Sequence, residues 1–566
     1  TILLSAATLW TLSMAPPSLN KAARTVVWFR NDLRIHDNPL LAAAAAAGEV
    51  LPVYCFDPRQ FGPARHNALK CSPLRARFLI ESVGDLRDSL RSIGSDLVVG
   101  VGKPEELVPQ LVSPGTTVLT SEQVCDEEIQ VDAALRRALK PTSSTLQSLW
   151  CGTLYEKDAL PFRSDLSDMP DVFTPFRNKV ESRAQTEAPL APPRAGSLKL
   201  PPSDAVVSSP SLGFDAMPDL AALGFTEEQA AVAPDPRGVL PFRGGESVAL
   251  QRMRHYIWDA DCLGSYFETR NGMLGADYSS KFAPWLALGS LSPRQVKAEC
   301  ESYERTRVKN KSTYWLVFEL IWRDFFRFYA LKHGNDIFKL LGPARVAQPW
   351  VSDPTLLQRW KDGRTGSPLV DANMRELLLT GFMSNRGRQI VASYLALDLK
   401  LDWRLGAAHF EQHLLDYDVC SNWGNWAAAA GVTGGRINRF NVVKQAKDYD
   451  ADGDYVRTWV PELANVPPPK VHEPWQLSRD EQQRYGLNLG VDYPAKPPPS
   501  RFGGYAEMGR TPSTADAMGS PRGRGGRGGR GGNDGDRPRS ARSRPSGDGG
   551  KARRASGKGR VQHGAY

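Results

Sequence analysis

The chain has 566 residues, 41% of them hydrophobic and 23% charged, which is typical of a folded globular protein with several domains and excludes a wholly disordered chain. No apolar run reaches the roughly 18 residues of a membrane-spanning helix. The seven cysteines form no C-x-x-C pair, and this spacing argues against a zinc site and a disulfide framework and favours a reducing compartment. The net charge of +9 arises in the tail, because residues 501–566 contain 15 Lys and Arg against 5 Asp and Glu.

The N-terminal residues 1–24 contain no acidic residue, several Ser, Thr and Ala, and the basic residues Lys21 and Arg24. This composition is typical of an organelle transit peptide and predicts a chloroplast or mitochondrial location. Met14 is equally consistent with an alternative start, in which case the cytoplasm or nucleus is expected.

Residues 25–150 alternate short β-branched or aromatic runs with helical patterns. Strands are predicted at 25–29, 50–56, 96–101, 117–119 and 145–150, and helices at 72–93 and 126–138. This alternation predicts a doubly wound parallel sheet, which binds ligands outside the carboxyl ends of its strands. No G-x-G-x-x-G follows the first strand, so a dinucleotide-dependent dehydrogenase is excluded.

Three further regions follow this α/β domain. Residues 151–243 are rich in Pro, Ser and Ala and are expected to form a long connector between domains. Residues 244–495 show apolar residues at three- and four-residue spacing, which predicts an all-helical domain with many aromatic residues. Residues 496–566, including RGRGGRGGRGG, are expected to be disordered because they cannot bury a core.

The most informative stretch is 403–426, WRLGAAHFEQHLLDYDVCSNWGNW. It places Asp416, Asp418 and Asn422 in a loop between two apolar, tryptophan-rich segments. One interpretation is a loop in which Asp418 or Ser421 caps a helix. The other is a buried polar site, since buried carboxylates are costly without a partner and are commonly functional.

Three other segments carry polar groups in apolar surroundings. Hydroxyls and a lysine precede a helix in YSSKFAPW (278–285), which suits phosphate binding, although an ordinary N-cap explains the pattern equally. In the aromatic helix 314–332, Glu319 and Arg323 are spaced to pair, and burial would raise the proton affinity of the carboxyl. The segment TGFMSNRGRQI (380–390) offers Asn385, Arg386 and Arg388 for phosphate contacts, or as a solvated basic face.

Together with NDLRIHDN (31–38), ELIWRDFF (319–326), VDANMRELLL (370–379) and LLDYDVCSNWGNW (414–426), these segments resemble the photolyase/cryptochrome family. The resemblance covers roughly residues 25–480 in order. YDVCSNWGNW and TGFMSNRGRQ are most similar to the cryptochrome DASH group.

The resemblance implies a folded-over FAD in the helical domain. Arg388 and Asp416 would form an ion pair beside the isoalloxazine, Asp418 would contact the ring or ribose, and Asn422 would face the ring nitrogen that changes protonation on reduction. Ala283 stands where the family usually has a serine. The implied cofactor-binding residues are Tyr266, Ser279, Ser280, Lys281, Phe282, Arg323, Arg388, Asp416, Tyr417, Asp418 and Asn422.

The same resemblance implies light-driven splitting of cyclobutane pyrimidine dimers by electron transfer from reduced flavin. Glu319, Trp322 and Asn422 would be catalytic, and Glu319 would hydrogen-bond the pyrimidine carbonyls. Trp426, Trp403 and Trp350 would conduct electrons from the surface to the flavin. Arg270, Trp322, Asn385, Arg386 and Gln389 would contact DNA.

Two departures from the family pattern favour single-stranded DNA as the substrate. Ala428 stands where an aromatic residue is usual and Gln389 where an apolar residue is usual, so a flipped dimer gains less stabilisation. The alternative function is a blue-light photoreceptor that binds nucleic acid or protein with little repair activity.

The resemblance also implies a methenyltetrahydrofolate antenna near Gln123 and Asp126, but the glutamate expected near Gln123 is absent. The Arg-Gly repeats are typical of binding to single-stranded nucleic acid, especially RNA, and equally of a solubilising disordered tail. If RNA binding is the main activity, deletion of residues 496–566 would abolish it. A monomer without membrane contact is expected.

Overall fold

The computed structural model describes residues 24–63, 69–202, 206 and 212–501. The predicted leader, and the predicted tail beyond residue 501, lie outside these residues. Among the described residues, no helix has the length and apolarity required to cross a bilayer.

The N-terminal domain is the predicted doubly wound parallel sheet, with strand order β5-β4-β1-β2-β3-β6. The first five strands are parallel, and the two-residue β6, which was not predicted, pairs antiparallel with β3 at the edge. Every residue of β1 and β2 is buried because helices cover both faces. The strands are β1 Thr25–Phe29, β2 Val50–Phe56, β3 Val98–Val101, β4 Thr117–Ser121, β5 Thr145–Leu149 and β6 Leu212–Gly213.

Local capping chemistry starts the two best-defined helices of this domain. Asn38 caps α1 by accepting from the amides of Leu40 and Leu41, and Ser72 caps α2, each followed by proline in the first turn. The helices are α1 Pro39–Ala44, α2 Pro73–Ser92, α3 Pro104–Leu107 and α4 Asp126–Leu139.

The connector contains more regular structure than its composition suggests. It forms α5 Phe173–Arg183, strand β6 and α6 Glu227–Ala230. The buried residues Phe173, Phe176 and Val180 of α5 pack into the core of the helical domain, so this segment is part of that core.

The C-terminal domain is helical, as predicted, and forms one large aromatic-rich core. Its helices are α7 Glu246–Arg254, α8 Tyr266–Thr269, α9 Ala283–Ala287, α10 Pro293–Thr306, α11 Lys311–His333, α12 Pro354–Lys361, α13 Pro368–Thr380, α14 Asn385–Ser393, α15 Trp403–His413, α16 Val419–Ala429, α17 Val442–Tyr449, α18 Asp454–Trp459 and α19 Arg479–Tyr485. Short π-helical segments extend α7 and α14.

Buried charges join the two domains. Asp37, in the loop after β1, binds the Arg294 guanidinium at 2.6 Å, and both side chains are at most 5% exposed. Glu246, at the start of α7, accepts hydrogen bonds from the amides of Ile35 at 2.7 Å and His36 at 3.0 Å. Because the predicted NDLRIHDN loop supplies these partners, it serves as the docking segment for the helical domain.

Candidate functional site

A cavity of about 180 Å³ lies inside the helical domain, between α11, α14 and the loop that precedes α16. All eleven residues that the resemblance assigns to the cofactor line this one cavity, although they come from segments up to about 150 positions apart. Glu319, Arg270 and Asn385, assigned to the substrate, line it as well. Trp322, Arg386 and Gln389 are not among its lining residues.

The loop before α9 presents a lysine to this cavity. Lys281 has a φ of 61°, which is uncommon for a residue with a side chain, and its Nζ donates to Ser279 Oγ at 2.9 Å. Burial lowers the pKa of Lys281 well below its usual value, so a bound anion would favour its charged form. The Arg252 side chain fixes the loop by donating to the carbonyls of Ser280 at 3.0 Å and Ser279 at 3.2 Å.

An ion pair forms the opposite wall. Arg388 Nη2 lies 2.8 Å from Asp416 Oδ2, and the two side chains are only 6% and 4% exposed. Arg388 Nε also donates to the Met383 carbonyl at 2.9 Å, which orients the guanidinium. The other Asp416 oxygen, Oδ1, is buried without a hydrogen-bond partner. Such an orphaned acceptor fits a cofactor that donates a hydrogen bond, as FAD can.

The interpretation of Asp418 as the cap of a helix is confirmed, and the functional role of this loop stays a prediction. Asp418 caps α16 by accepting from the Ser421 amide at 2.7 Å, while it also lines the cavity. Asn422 Nδ2 donates to the Ala407 carbonyl at 3.0 Å. Since this bond fixes the amide orientation, the Asn422 carbonyl oxygen remains to face the cavity as an acceptor.

A pair with Arg323 is one of the alternatives for Glu319, and the structure shows a different partner. Glu319 Oε1 instead binds Arg270 Nη1 at 2.7 Å and accepts from Trp315 Nε1 at 3.1 Å. Arg323 donates to the carbonyls of Gly152 and, at 3.2 Å, Leu286. Burial raises the pKa of Glu319 to about 6, with Arg270 opposing the shift, so the expectation of a raised proton affinity agrees with the structure.

The remaining substrate residues have other partners. Trp322 stacks on Phe173 at 3.6 Å, with an angle of 9° between the rings. Arg386 donates to Gln389 Oε1 at 2.8 Å. Arg270, assigned to a DNA phosphate, is 4% exposed and neutralises Glu319. Each of these residues therefore has a partner within the protein.

Of the three tryptophans assigned to electron transfer, Trp426 lies in α16, Trp403 begins α15, and Trp350 lies in the segment before α12. Trp403 and Trp426 are fully buried and Trp350 is half-buried. The ring of Trp426 contacts Phe410 at 5.1 Å and Trp360 at 6.1 Å. Trp403 contacts Trp423 at 5.8 Å. Trp423 and Trp360 are therefore additional members of this aromatic cluster that the sequence had not suggested.

A second, larger cavity of about 1390 Å³ lies between the two domains. Its lining includes Gln123 and Asp126, the residues assigned to an antenna, together with Trp28 and Trp423. Gln123 Nε2 donates to the Ser121 carbonyl and hydroxyl, both at 3.2 Å. Tyr417 lines both cavities and so forms part of the wall between them.

Comparison with known proteins identifies this arrangement. Residues 25–194 match the DNA photolyase family model, and residues 315–498 match the model for the FAD binding domain of DNA photolyase. A relative from Ostreococcus tauri, named "Cryptochrome DASH, chloroplastic/mitochondrial", is 50% identical over 86% of this chain and 92% of its own. The chain belongs to the photolyase/cryptochrome family. A Gloeobacter violaceus relative named "Cryptochrome DASH" is also 50% identical, over 83% of this chain and 92% of its own, so within the family the chain is similar to cryptochrome DASH.

Solved structures of the family agree. A Synechocystis cryptochrome is 43% identical, covers 85% of this chain and 98% of its own, and superposes with a TM-score of 0.74. A class III photolyase from Agrobacterium tumefaciens is 28% identical, with coverages of 87% and 97% and a TM-score of 0.70. The helical domain of this photolyase/cryptochrome is therefore an FAD-binding domain, and the cavity lining described above fits that cofactor.

Sequence reasoning missed other residues around the FAD cavity. Leu286, Leu316, Phe382, Met383 and Asn425 also line it. Leu286 and Leu316 lie in helices, and Phe382 and Met383 lie in the segment between α13 and α14. In the sequence, an apolar residue that lines a cavity looks the same as one in the core. Among the described residues, no group of three or more His, Cys, Asp or Glu side chains is placed to bind a metal ion.

Proposed function

We propose that this protein uses blue light and FAD to split cyclobutane pyrimidine dimers, preferentially in single-stranded DNA. The observation that carries this proposal is the position of Glu319. Its carboxyl, on a side chain that is 20% exposed, lines the same cavity as the Arg388–Asp416 pair and Asn422, so a group bound against Glu319 would lie close to the cofactor.

The chain's own residues would act by positioning and by hydrogen bonding. When bound, FAD supplies the photoexcited electron. Glu319, with a pKa raised to about 6, is suited to share a proton with a pyrimidine carbonyl that gains negative charge. The unpaired Oδ1 of Asn385 and Nε of Arg270 provide an acceptor and a donor for the remaining polar edges of a base.

The proposed preference for single-stranded DNA rests on the small number of stabilising contacts that the site can make with a dimer flipped out of a duplex. Ala428, at the end of α16, supplies only a methyl group, and Gln389 is occupied by Arg386. Extraction of a dimer from a duplex costs a few kcal/mol that aromatic stacking would otherwise offset. Single-stranded DNA avoids most of this cost.

The first test is blue-light repair of a cyclobutane thymine dimer in matched single- and double-stranded oligonucleotides. We expect repair of the single strand and at least about tenfold slower repair of the duplex, because unstacking costs on the order of 1.4 kcal/mol or more. Ala428→Trp should reduce the difference in repair rate between the single-stranded and double-stranded oligonucleotides. Equal repair of both substrates by the native protein would contradict the role given to Ala428 and Gln389.

A blue-light photoreceptor is the second candidate function. It is favoured by the stacking of Trp322 on Phe173, which turns a residue assigned to the substrate away from the cavity lining. Absence of repair on either oligonucleotide, in protein whose FAD is still photoreduced, would support this candidate in place of the enzyme.

We further propose that the interdomain cavity accepts a reduced folate only weakly in this chain, because Gln123 presents a neutral amide where a carboxylate would bind the donor groups of a pterin ring. Gln123→Glu is expected to increase folate affinity about 10-fold, since a hydrogen bond to a charged group contributes about 1.5–3 kcal/mol. Fluorescence titration with methenyltetrahydrofolate would measure this change. Gln130→Glu, a cavity residue on the exposed side of α4, is the matched control.

A further inference from the structure

Two cysteines from different domains meet at the junction between the cavities. The Sγ atoms of Cys125 and Cys420 lie 3.7 Å apart, which is van der Waals contact, although the residues are 295 positions apart in the chain. All seven cysteines are described and reduced, and both members of this pair are buried. The absence of C-x-x-C spacing argues against a zinc site and a disulfide framework, and the fold brings together two cysteines whose spacing in the sequence does not reveal the contact.

Each of the two cysteines lies at the start of a helix next to one of the two cavities. Cys125 is the N-cap residue of α4 in the α/β domain and lines the interdomain cavity. Cys420 lies in the first turn of α16, between Asp418 and Asn422 of the flavin cavity. A bond between the sulfurs would therefore connect the wall of one cavity directly to the helix that borders the other.

We propose that Cys125 and Cys420 form an oxidisable pair that a hydroperoxide converts into a reversible disulfide between the two domains. The proposal is independent of whether the protein repairs DNA, because it concerns thiol chemistry at the junction alone.

The reaction would proceed in two steps. The Cys125 thiolate attacks the terminal peroxide oxygen and breaks the O–O bond, which gives a sulfenic acid on Cys125 and releases water or an alcohol after protonation. Cys420 then attacks the Cys125 sulfur, forms the S–S bond and displaces the hydroxyl as water. Two thiols are oxidised and one peroxide is reduced by two electrons.

The access of each sulfur to the interdomain cavity determines which cysteine reacts first with the peroxide. Cys125 lines a cavity large enough to admit hydrogen peroxide, so the oxidant reaches this sulfur first. Cys420 is buried and does not line that cavity, and its hydrogen bond with Cys125, together with burial, raises its pKa well above the usual value. Cys420 is therefore the resolving thiol.

The experiment is oxidation of the FAD-loaded protein with hydrogen peroxide, followed by proteolysis without reductant and mass spectrometry. We expect a cross-linked peptide containing Cys125 and Cys420, a mass loss of two hydrogens, and its disappearance after dithiothreitol. The oxidised protein should melt at a temperature higher by about 5 °C, because the bond closes a very long loop.

Matched variants make the result specific. Cys125→Ser and Cys420→Ser should each abolish the cross-link and the change in melting temperature, whereas Cys300→Ser, at another buried cysteine, should leave both unchanged. The wild-type mass spectrum is decisive even if a variant fails to fold. Oxidation of Cys125 to sulfinic acid without a cross-link, or no modification of either cysteine, would overturn the proposal.

Discussion

Replacement of Glu319 by alanine is expected to lower the quantum yield of dimer repair by about 10- to 100-fold while FAD remains bound. The carboxyl is the acidic group that reaches the cavity from α11, and a hydrogen bond to a charged group is worth about 1.5–3 kcal/mol. Repair should be measured on the single-stranded oligonucleotide at saturating concentration, with flavin absorbance as the check on cofactor content.

Glu299→Ala is the matched control for this experiment. Glu299 on α10 also accepts a hydrogen bond from an indole, Trp258 Nε1, at 2.9 Å, but it does not line the cavity. Its loss should leave repair unchanged. If Glu319→Ala repaired dimers as fast as the native protein, the carboxyl would have no part in catalysis.

Because the pKa of Glu319 is raised in the folded protein, the free energy of unfolding should depend on pH. Folding raises its pKa from 4.5 to about 6, so the folded state binds the proton more tightly and the native protein loses stability as pH rises between these values. Relative to Glu319→Gln, which does not titrate, the loss should be about 2 kcal/mol and should be complete above the folded pKa. Denaturant unfolding of the two proteins between pH 4 and 8 measures the difference, and a pH-independent difference would mean that the carboxyl is not buried as described.

Asp416→Asn is expected to destabilise the protein by about 3–5 kcal/mol and to lower the fraction of chains that retain FAD. The substitution leaves the buried Arg388 without a counter-charge, and the penalty for an uncompensated buried charge exceeds the worth of the pair itself. The ratio of flavin to protein absorbance after purification, together with the melting temperature, measures both effects.

An ion pair on the protein surface provides the matched control for Asp416→Asn, because solvent screens its charges. Lys444 and Asp448 form an ion pair at 2.6 Å on α17, with side chains 65% and 42% exposed. Asp448→Asn should therefore change stability by no more than about 0.5 kcal/mol and leave FAD content unchanged. An equally small effect of Asp416→Asn would show that solvent reaches the Arg388–Asp416 pair.

The sequence predicts local structure well where the local pattern is strong. β1 and β2 are continuous apolar runs of the predicted lengths, and the cap of α16 follows from Asp418. β6 is a strand of only two residues, whose identity depends on its partner β3 and not on its own composition. α5 lies in a Pro- and Ser-rich region that predicts a connector, yet its aromatic face completes a distant core.

In the candidate site, too, some features could be predicted from the sequence and others could not. Residue types and motif order identified the cavity lining, because each motif carries its own polar groups to the same place. The partner of Glu319 could not be predicted, since spacing along α11 offers Arg323 but the fold brings Arg270 from α8. The stacking of Trp322 on Phe173 likewise depends on how the connector packs.

The junction between the domains also bears on whether they can exist apart. A fragment ending near residue 200 would lose Arg294 from Asp37 and would leave the amides of Ile35 and His36 without the carboxylate of Glu246. Neither half retains these contacts alone, so we expect each separated fragment to be less stable than the intact protein. If the two halves are co-expressed, recovery of bound flavin would report their reassembly.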